Sequence, residues 1–144
     1  MSNPVKDAIA KGVNLLHQSL FDATKGRIGG SVMSMPALKL TTTGRKSGEP
    51  RTVMLTTPLQ RGEDIVLVAS YGGDDAHPAW YLNVVANPSV TITMEGREFP
   101  ATARTATDAE KAELWPQITA KYDGYAGYQR RTDRDIPVVI CSPV

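Results

Sequence analysis

A short run of cations, hydroxyls and glycines at residues 41–51 is the part of this chain best suited to bind an anion. Its sequence, TTTGRKSGEPR, holds three cations, four hydroxyl side chains and two glycines. Arg and Lys supply charge and hydrogen-bond donors, while glycine lets backbone N–H groups approach an oxyanion. We predict a site for a phosphate or another multiply charged anion around Arg45, Lys46 and Arg51. A solvated hairpin turn is the simpler alternative.

A second segment, residues 69–83 with the sequence ASYGGDDAHPAWYLN, combines a strand end, two glycines and a helix start. Gly72 and Gly73 would leave the backbone bare for a flat ring or a phosphate. The unpaired N–H groups at the start of the helix would add polar contacts. The same pattern also occurs in ordinary strand-to-helix connections. We expect His77 to be a residue of the helix start and not a catalytic base.

Three tyrosines spaced three residues apart form the third candidate group. Tyr122, Tyr125 and Tyr128 would share roughly one face of a helix. They could form a packing stripe, or an aromatic wall over a ligand in which a phenol donates a hydrogen bond. The spacing leaves both interpretations open.

Composition narrows the classes of function. The 144 residues, 41% hydrophobic and 22% charged, suggest a single domain spanning 1–144. A net charge of +1 provides no general attraction for nucleic acid, so we expect no such partner. One cysteine and two histidines argue against a disulfide and against a metal centre. The dinucleotide-binding, Walker and nucleophile-elbow motifs are absent.

The elements that must position these residues are mainly strands, which we predict at residues 37–42, 52–59, 64–70, 90–94, 97–104 and 136–141. A short helix is predicted at about 78–86. A longer helix should begin at Asp108, behind a capping box, and should kink or split at Pro116. Hairpin-length connections favour an antiparallel sheet that curls into a small barrel. The predicted class is α+β, mainly β: a barrel of about six mostly antiparallel strands with flanking helices.

The first 30 residues are predicted to be an amphipathic helix, about residues 4–21, and a glycine-rich connector. We expect this helix to pack on the domain. The alternative is a surface anchor that contacts a membrane or a hydrophobic partner. With no secretion signal and no run of ~20 apolar residues, the expected location is the cytoplasm, with peripheral contact at the inner face of the plasma membrane as the alternative.

Several of these segments together resemble the deazaflavin (coenzyme F420)-dependent nitroreductase and quinone reductase family, a group of small actinobacterial oxidoreductases. The resemblance covers nearly everything from residue 40 to residue 143. Its motifs are LTTTGRKSGEPR at 40–51, ASYGG at 69–73, PAWYLN at 78–83 and ANP at 86–88. It implies a split β-barrel fold and coenzyme F420 as the cofactor.

The resemblance also implies which residues bind the coenzyme and the acceptor. The phosphate and polyglutamate tail of the coenzyme would contact Arg45, Lys46, Ser47 and Arg51. The deazaflavin ring would lie against Ser70, Tyr71, Gly72, Gly73, Pro78, Ala79 and Trp80. At Tyr71, family members often carry Lys. The acceptor would face Tyr122, Tyr125 and Tyr128.

The implied reaction transfers a hydride from C5 of the reduced coenzyme to a conjugated acceptor: a quinone, an enone, an unsaturated lactone such as a coumarin, or a nitroheterocycle. Ser70, Tyr125 and Tyr128 are the catalytic candidates, because a hydroxyl can stabilise negative charge that develops on the acceptor. The alternatives are a flavin mononucleotide or haem oxidoreductase on a similar barrel, and an F420 carrier without turnover. Monomer and dimer both remain open.

Overall fold

The part of the chain that the structure describes folds into an antiparallel sheet with three α-helices. The computed structural model describes residues 31–32 and 35–144, so the predicted N-terminal helix and connector lie outside the described residues. The strands are β1 (Ser31–Val32), β2 (Met35–Thr43), β3 (Pro50–Thr56), β4 (Leu59–Arg61), β5 (Asp64–Val68), β6 (Ser89–Met94), β7 (Arg97–Thr105) and β8 (Val138–Pro143). The helices are α1 (Ala79–Ala86), α2 (Asp108–Lys121) and α3 (Gly124–Arg130).

All strand pairs in this part of the chain are antiparallel, as predicted. The order is β3–β2–β6–β7–β8–β5–β4, and β1 pairs with the start of β2. The predicted strand over 52–59 is wrong in one respect, because it is two strands, β3 and β4, separated by Thr57 and Pro58. Proline cannot donate a ladder hydrogen bond, which favours a break there. The two outer strands are therefore consecutive in the chain but are not paired with each other.

Thr57 connects the strands on either side of this break. Its N–H donates to the carbonyl oxygen of Pro36, on β2, at 3.0 Å. Its hydroxyl oxygen lies 2.7 Å from the carbonyl oxygen of Val66 and 2.9 Å from that of Leu59, on β5 and β4. Because Thr57 is only 1% exposed, these bonds are shielded from water. Through its backbone and its hydroxyl, this single buried residue thus links β2 to β4 and β5, which share no ladder with β2.

The core has two parts, and the central strands face both. Along β5, Ile65 and Leu67 belong to the cluster that includes Trp80 of α1, while Val66 and Val68 belong to the cluster beneath α2 and α3. Successive side chains of a strand point to opposite faces, so an apolar run such as this one is buried on both sides. The helices therefore cover both faces of the sheet at this point.

The start of α2 follows the capping box predicted from the sequence. The Glu110 N–H donates to the hydroxyl of Thr107 at 3.2 Å, and the Thr107 N–H donates to the Glu110 carboxylate at 2.9 Å. Arg104 donates two hydrogen bonds to the same carboxylate, at 2.7 and 2.8 Å. These bonds, with that from Arg104 the largest cause, lower the pKa of Glu110 to about 2. The carboxylate thus stays charged at the helix start, where it is favoured.

Pro116 lies within α2, where the sequence predicted either a kink or a split. The helix is not split there and runs on to Lys121. Proline removes one hydrogen bond, to the carbonyl four residues earlier, which belongs to Ala112. Both Ala112 and Pro116 are exposed, so water can hydrate that carbonyl. The apolar positions Leu114 and Ile118 on the other face are fully buried and hold the helix on the sheet.

Within the described residues, no helix has the length and apolar character needed to cross a bilayer. The same part of the chain contains no group of three or more acidic, histidine or cysteine side chains placed to hold a metal ion. Cys141 is buried in the core, and burial raises the pKa of its thiol to about 12. It is therefore an unreactive thiol that packs as a small core residue.

Candidate active site

The cation-rich segment is a compact hairpin connection between β2 and β3; we call residues 44–51 the cation turn. It is closed by two backbone hydrogen bonds of 2.8 Å, from Gly44 N–H to the Glu49 carbonyl and from Gly48 N–H to the Gly44 carbonyl. A Cβ at Gly44 would lie 2.7 Å from the hydroxyl of Ser47 and 3.2 Å from the Glu49 carbonyl oxygen. Glycine is therefore needed at this position for the turn to close as tightly as it does.

Arg45 attaches the cation turn to helix α1. Its backbone N–H and its guanidinium Nη1 both donate to Oδ1 of Asn83, at 3.1 and 2.9 Å. The amide of Asn83 in turn donates to the hydroxyl of Thr42 at 3.1 Å. Asn83 is only 4% exposed, so its amide relies on these protein hydrogen bonds in place of bonds to water. Asn83 was not among the predicted site residues, although a polar residue within the apolar run AWYLNVVA was a usable signal.

The three cations of the turn are exposed, and none of them forms an ion pair with another described residue. Arg51 donates from Nη2 to the hydroxyl of Ser47 at 3.2 Å, and that hydroxyl also accepts from the Glu49 N–H at 3.1 Å. None of the ion pairs in this part of the chain involves Arg45, Lys46 or Arg51. A turn closed by hydrogen bonds that presents three cations without ion-pair partners among the described residues is suited to bind an anionic ligand.

The glycine turn, the 3₁₀ segment Tyr71–Gly73, has an unusual backbone. Three consecutive residues have positive φ: 46° at Tyr71, 65° at Gly72 and 83° at Gly73. Gly73 N–H donates to the Ser70 carbonyl at 2.9 Å, and Asp74 N–H donates to the Tyr71 carbonyl at 3.1 Å. Gly73 is buried and Gly72 is half-buried. The close approach at Gly73 is made by the backbone of α3, since a Cβ there would lie 2.8 Å from a carbonyl oxygen of that helix.

The remaining predicted ring-binding residues differ in exposure. Ser70 is 8% exposed, and its hydroxyl has no hydrogen-bond partner among the described residues. Ala79 is exposed at the start of α1, behind the buried Pro78. Trp80 is 7% exposed and belongs to the core. Trp80 is therefore a core residue that packs behind the site.

Arg134 is a second residue that was not among the predicted site residues. It lies in the segment between α3 and β8, and its guanidinium donates to three backbone carbonyls that bracket the glycine turn. It also contacts Nδ1 of His77 at 2.9 Å. Its partners are 57 to 65 residues away in the chain, so no local sequence pattern could have indicated them.

The three tyrosines form one cluster, although not on one helix face as predicted. Tyr122 follows the end of α2, while Tyr125 and Tyr128 lie on α3. The ring centroids are 5.1 to 6.2 Å apart. Tyr122 and Tyr128 are half-buried, and their hydroxyl oxygens lie 3.2 Å apart. Tyr125 is 6% exposed, and its hydroxyl points towards the sulfur of Met35 at 3.9 Å.

Two of the three tyrosines, Tyr128 and Tyr125, have raised pKa values. The hydrogen bond with Tyr122, followed by burial, raises the pKa of Tyr128 to about 12. Burial also raises the pKa of Tyr125. Both phenols therefore keep their protons at neutral pH. In the Tyr122–Tyr128 pair one hydroxyl donates to the other, which leaves the second proton available to a ligand.

Comparison with known proteins identifies the family to which this site belongs. Residues 15–143 match the model of the family described as F420H(2)-dependent quinone reductase. The chain belongs to this family. An F420H(2)-dependent quinone reductase of Mycobacterium tuberculosis is 41% identical over 135 residues, which are 90% of each chain. The F420H(2)-dependent quinone reductases are oxidoreductases, which confirms the predicted enzyme class and the predicted cofactor, coenzyme F420.

Solved structures support the same assignment. An F420-H2 dependent reductase superposes with a TM-score of 0.67 at 42% identity, covering 74% of this chain and 94% of its own. A protein solved as a domain-swapped dimer superposes with a TM-score of 0.68 at 37% identity, covering 97% of this chain and 100% of its own. The predicted split β-barrel is confirmed. The exposed cations of the cation turn also fit the coenzyme, because its phosphate and polyglutamate tail is strongly anionic.

Proposed function

We propose that this chain holds the acidic tail of coenzyme F420 on the cation turn and reduces a quinone-type acceptor beside the Tyr122–Tyr128 pair. The observation that carries the proposal is the double hydrogen bond from Arg45 to Asn83. It attaches the cation turn to α1, the helix that begins after the glycine turn. Asn83 is about one helical turn, ~6 Å along the axis, from Ala79 at the helix start. One short helix therefore links the anion-binding side chains to the ring-binding segment.

Two groups of side chains would hold the coenzyme. The forked guanidinium groups can each bind two oxygens of a phosphate or carboxylate, which Lys and Ser can supplement. In this proposal the tail contacts are made by Arg45, Lys46, Ser47 and Arg51. The ring contacts come from the hydroxyl of Ser70, from Ala79, and from the Tyr71 side chain and the backbone of the glycine turn. Pro78 and Trp80 are buried and pack behind these contact residues.

When bound, the reduced coenzyme supplies a hydride from C5, and the protein supplies orientation and proton donors. The Tyr122–Tyr128 pair offers one phenolic proton to an acceptor oxygen, where it stabilises developing negative charge. Ser70 offers a second hydroxyl on the coenzyme side. Tyr125 packs under the pair and holds the two rings in place. Flat conjugated acceptors fit this arrangement: quinones first, then enones, unsaturated lactones and nitroheterocycles.

The double substitution of Arg45 and Lys46 by alanine tests the tail contacts. We expect the affinity for oxidised F420, followed by the fluorescence of the ring, to fall about tenfold or more at low ionic strength. The difference should shrink as salt is added, because exposed charges are screened. The matched control removes two exposed arginines from other hairpins, Arg61 and Arg97. Equal loss in both double variants, or no loss in the first, would remove the cation turn from the proposal.

Tyr128→Phe tests the proton donor. We expect the rate of quinone reduction at saturating coenzyme to fall about tenfold or more, with little change in coenzyme affinity. The comparison variant is Tyr125→Phe, which removes a hydroxyl that is buried against Met35. Stopped-flow oxidation of the reduced coenzyme by a soluble quinone measures both. If Tyr125→Phe slows turnover as much as Tyr128→Phe does, then Tyr125 also acts on the acceptor.

A further inference from the structure

We propose that Arg134 is the positioning residue of the coenzyme-binding side: its guanidinium holds the glycine turn in the shape that the coenzyme meets. The inference rests on the proposed function, which assigns the ring contacts to this turn. It assigns to Arg134 a role that acts through the backbone of other residues and needs no contact with the coenzyme.

All three nitrogens of the Arg134 guanidinium donate hydrogen bonds to carbonyls of one backbone segment, residues 69–74. Nη1 donates to the carbonyl of Ala69 at 3.0 Å, Nη2 to that of Ser70 at 2.9 Å and Nε to that of Asp74 at 3.1 Å. These carbonyls lie immediately before and after the glycine turn. Only the planar fork of arginine can donate in three such directions from one rigid group.

The turn needs external support because its own conformation is unfavourable. Tyr71 has a φ of 46°, a region that side chains with a Cβ rarely adopt, and two glycines with positive φ follow it. A residue in such a conformation persists where the surrounding structure holds it. The Ser70 carbonyl shows this directly, since it accepts from Gly73 N–H within the turn and from Arg134 outside it.

Arg134 is itself held in place by its neighbours. Its backbone N–H donates to the hydroxyl of Thr132 at 3.1 Å, and that hydroxyl donates to the carboxylate of Asp75 at 2.7 Å. Its carbonyl accepts from the amide of Gln129 at 2.7 Å, and Gln129 also accepts from the N–H of Ile136 at 3.0 Å. The guanidinium is therefore aimed by a pre-organised segment, as a positioning group must be.

The same guanidinium also reaches the start of α1 through His77. Nδ1 of His77 accepts from Nη1 of Arg134 at 2.9 Å, so the imidazole carries its proton on Nε2. Burial and the neighbouring charge of Arg134 lower the pKa of His77, which keeps it neutral at pH 7. The ring packs on Tyr81 of α1 at 4.9 Å. Arg134 thus joins the strand end, the glycine turn and the helix start into one unit.

This unit is in contact with the proposed acceptor side. The backbone of Tyr128 lies so close to Gly73 that a Cβ there would be 2.8 Å from its carbonyl oxygen. Arg131 also donates to the Gly72 carbonyl at 3.4 Å, and its guanidinium lies 5.5 Å from the centre of the Tyr128 ring. The glycine turn is therefore supported on one side by Arg134 and on the other by the backbone of α3.

Arg134→Lys tests the inference, because it keeps the charge and removes the fork. The first measurement uses the protein without coenzyme: hydrogen exchange at the amides of Gly73 and Asp74, which should speed up about tenfold or more. The second measures coenzyme affinity, which should fall about tenfold, while the rate at saturating coenzyme should change much less. The matched control is Arg104→Lys, which breaks a forked contact to Glu110 away from the site.

Three results would overturn the inference: unchanged exchange at both amides, unchanged coenzyme affinity despite faster exchange, or the same two changes in Arg104→Lys. If Arg134→Lys does not fold, Thr132→Ala provides the milder test, since it removes one support of Arg134. It should speed exchange at the same two amides by a smaller factor, and unchanged exchange would again overturn the inference. Failure of the wild-type chain to bind F420 would instead reject the proposed function.

Discussion

Gly73→Ala should destabilise the protein by about 2–5 kcal/mol and abolish quinone reduction. The new Cβ would lie 2.8 Å from the carbonyl oxygen of Tyr128, 3.0 Å from its Cα and 3.1 Å from Cβ of Arg131. Backbone atoms cannot move away by rotating a side chain, so α3 would have to shift, at a cost of about 1–3 kcal/mol. The φ of 83° adds about 1–2 kcal/mol for a residue with a Cβ. Urea unfolding and F420-dependent quinone reduction measure the two effects.

The control for this prediction is Gly62→Ala, in the β4–β5 hairpin. Gly62 also has a positive φ, 60°, but nothing lies within 4 Å of the Cβ that alanine would add. Only the conformational cost of about 1–2 kcal/mol should remain, and quinone reduction should be unchanged. Equal destabilisation by the two substitutions would contradict the close contact between the glycine turn and α3.

Asn83→Leu should weaken coenzyme binding by about tenfold or more and destabilise the protein by about 1–3 kcal/mol. Leucine has a similar size but leaves the Arg45 N–H and the Thr42 hydroxyl without the partner that Asn83 provides. The cation turn would then lose its attachment to α1, and its charges would no longer be held in one place. Titration with F420 and urea unfolding measure the two quantities in the same preparation.

Asn87→Leu is the matched control for Asn83→Leu. Asn87 lies just beyond the end of α1, and among the described residues its side chain accepts one hydrogen bond, a local one from Ser89 N–H at 3.1 Å. This substitution should change stability slightly and leave coenzyme affinity unchanged. If both substitutions weakened binding to the same degree, the effect would come from α1 as a whole and not from the contact with Arg45.

Local signals predicted those parts of the fold whose energetics are local. The capping box placed the start of α2 at Asp108, because its two hydrogen bonds involve residues three positions apart. The strands predicted at 90–94 and 97–104 leave two residues between them, Glu95 and Gly96, and both have the positive φ of a two-residue hairpin turn, 52° and 76°. The cation turn likewise lies between the two strands that flank it in the sequence.

Predictions that depended on distant contacts were less successful. Pro116 does not split α2, because packing of the buried face outweighs one lost hydrogen bond. The strand predicted at 52–59 is broken at Thr57, whose buried hydroxyl bonds to β4 and β5 rather than continuing a ladder. In the sequence, Tyr125 has the same residue type and spacing as Tyr122 and Tyr128. In the structure Tyr125 is buried, whereas Tyr122 and Tyr128 are half-buried.

The sequence by itself determined the family, the cofactor class and the cation turn, because these are expressed in residue types at fixed spacing along the chain. Tertiary structure decided which side chains hold that chemistry in place. Asn83 is 38 residues from Arg45, and Arg134 is 64 residues from Ser70. Only the curled sheet brings these groups within hydrogen-bonding distance. Burial, which separates Tyr125 from Tyr122 and Tyr128, is likewise a property of packing and not of any residue's neighbours in the chain.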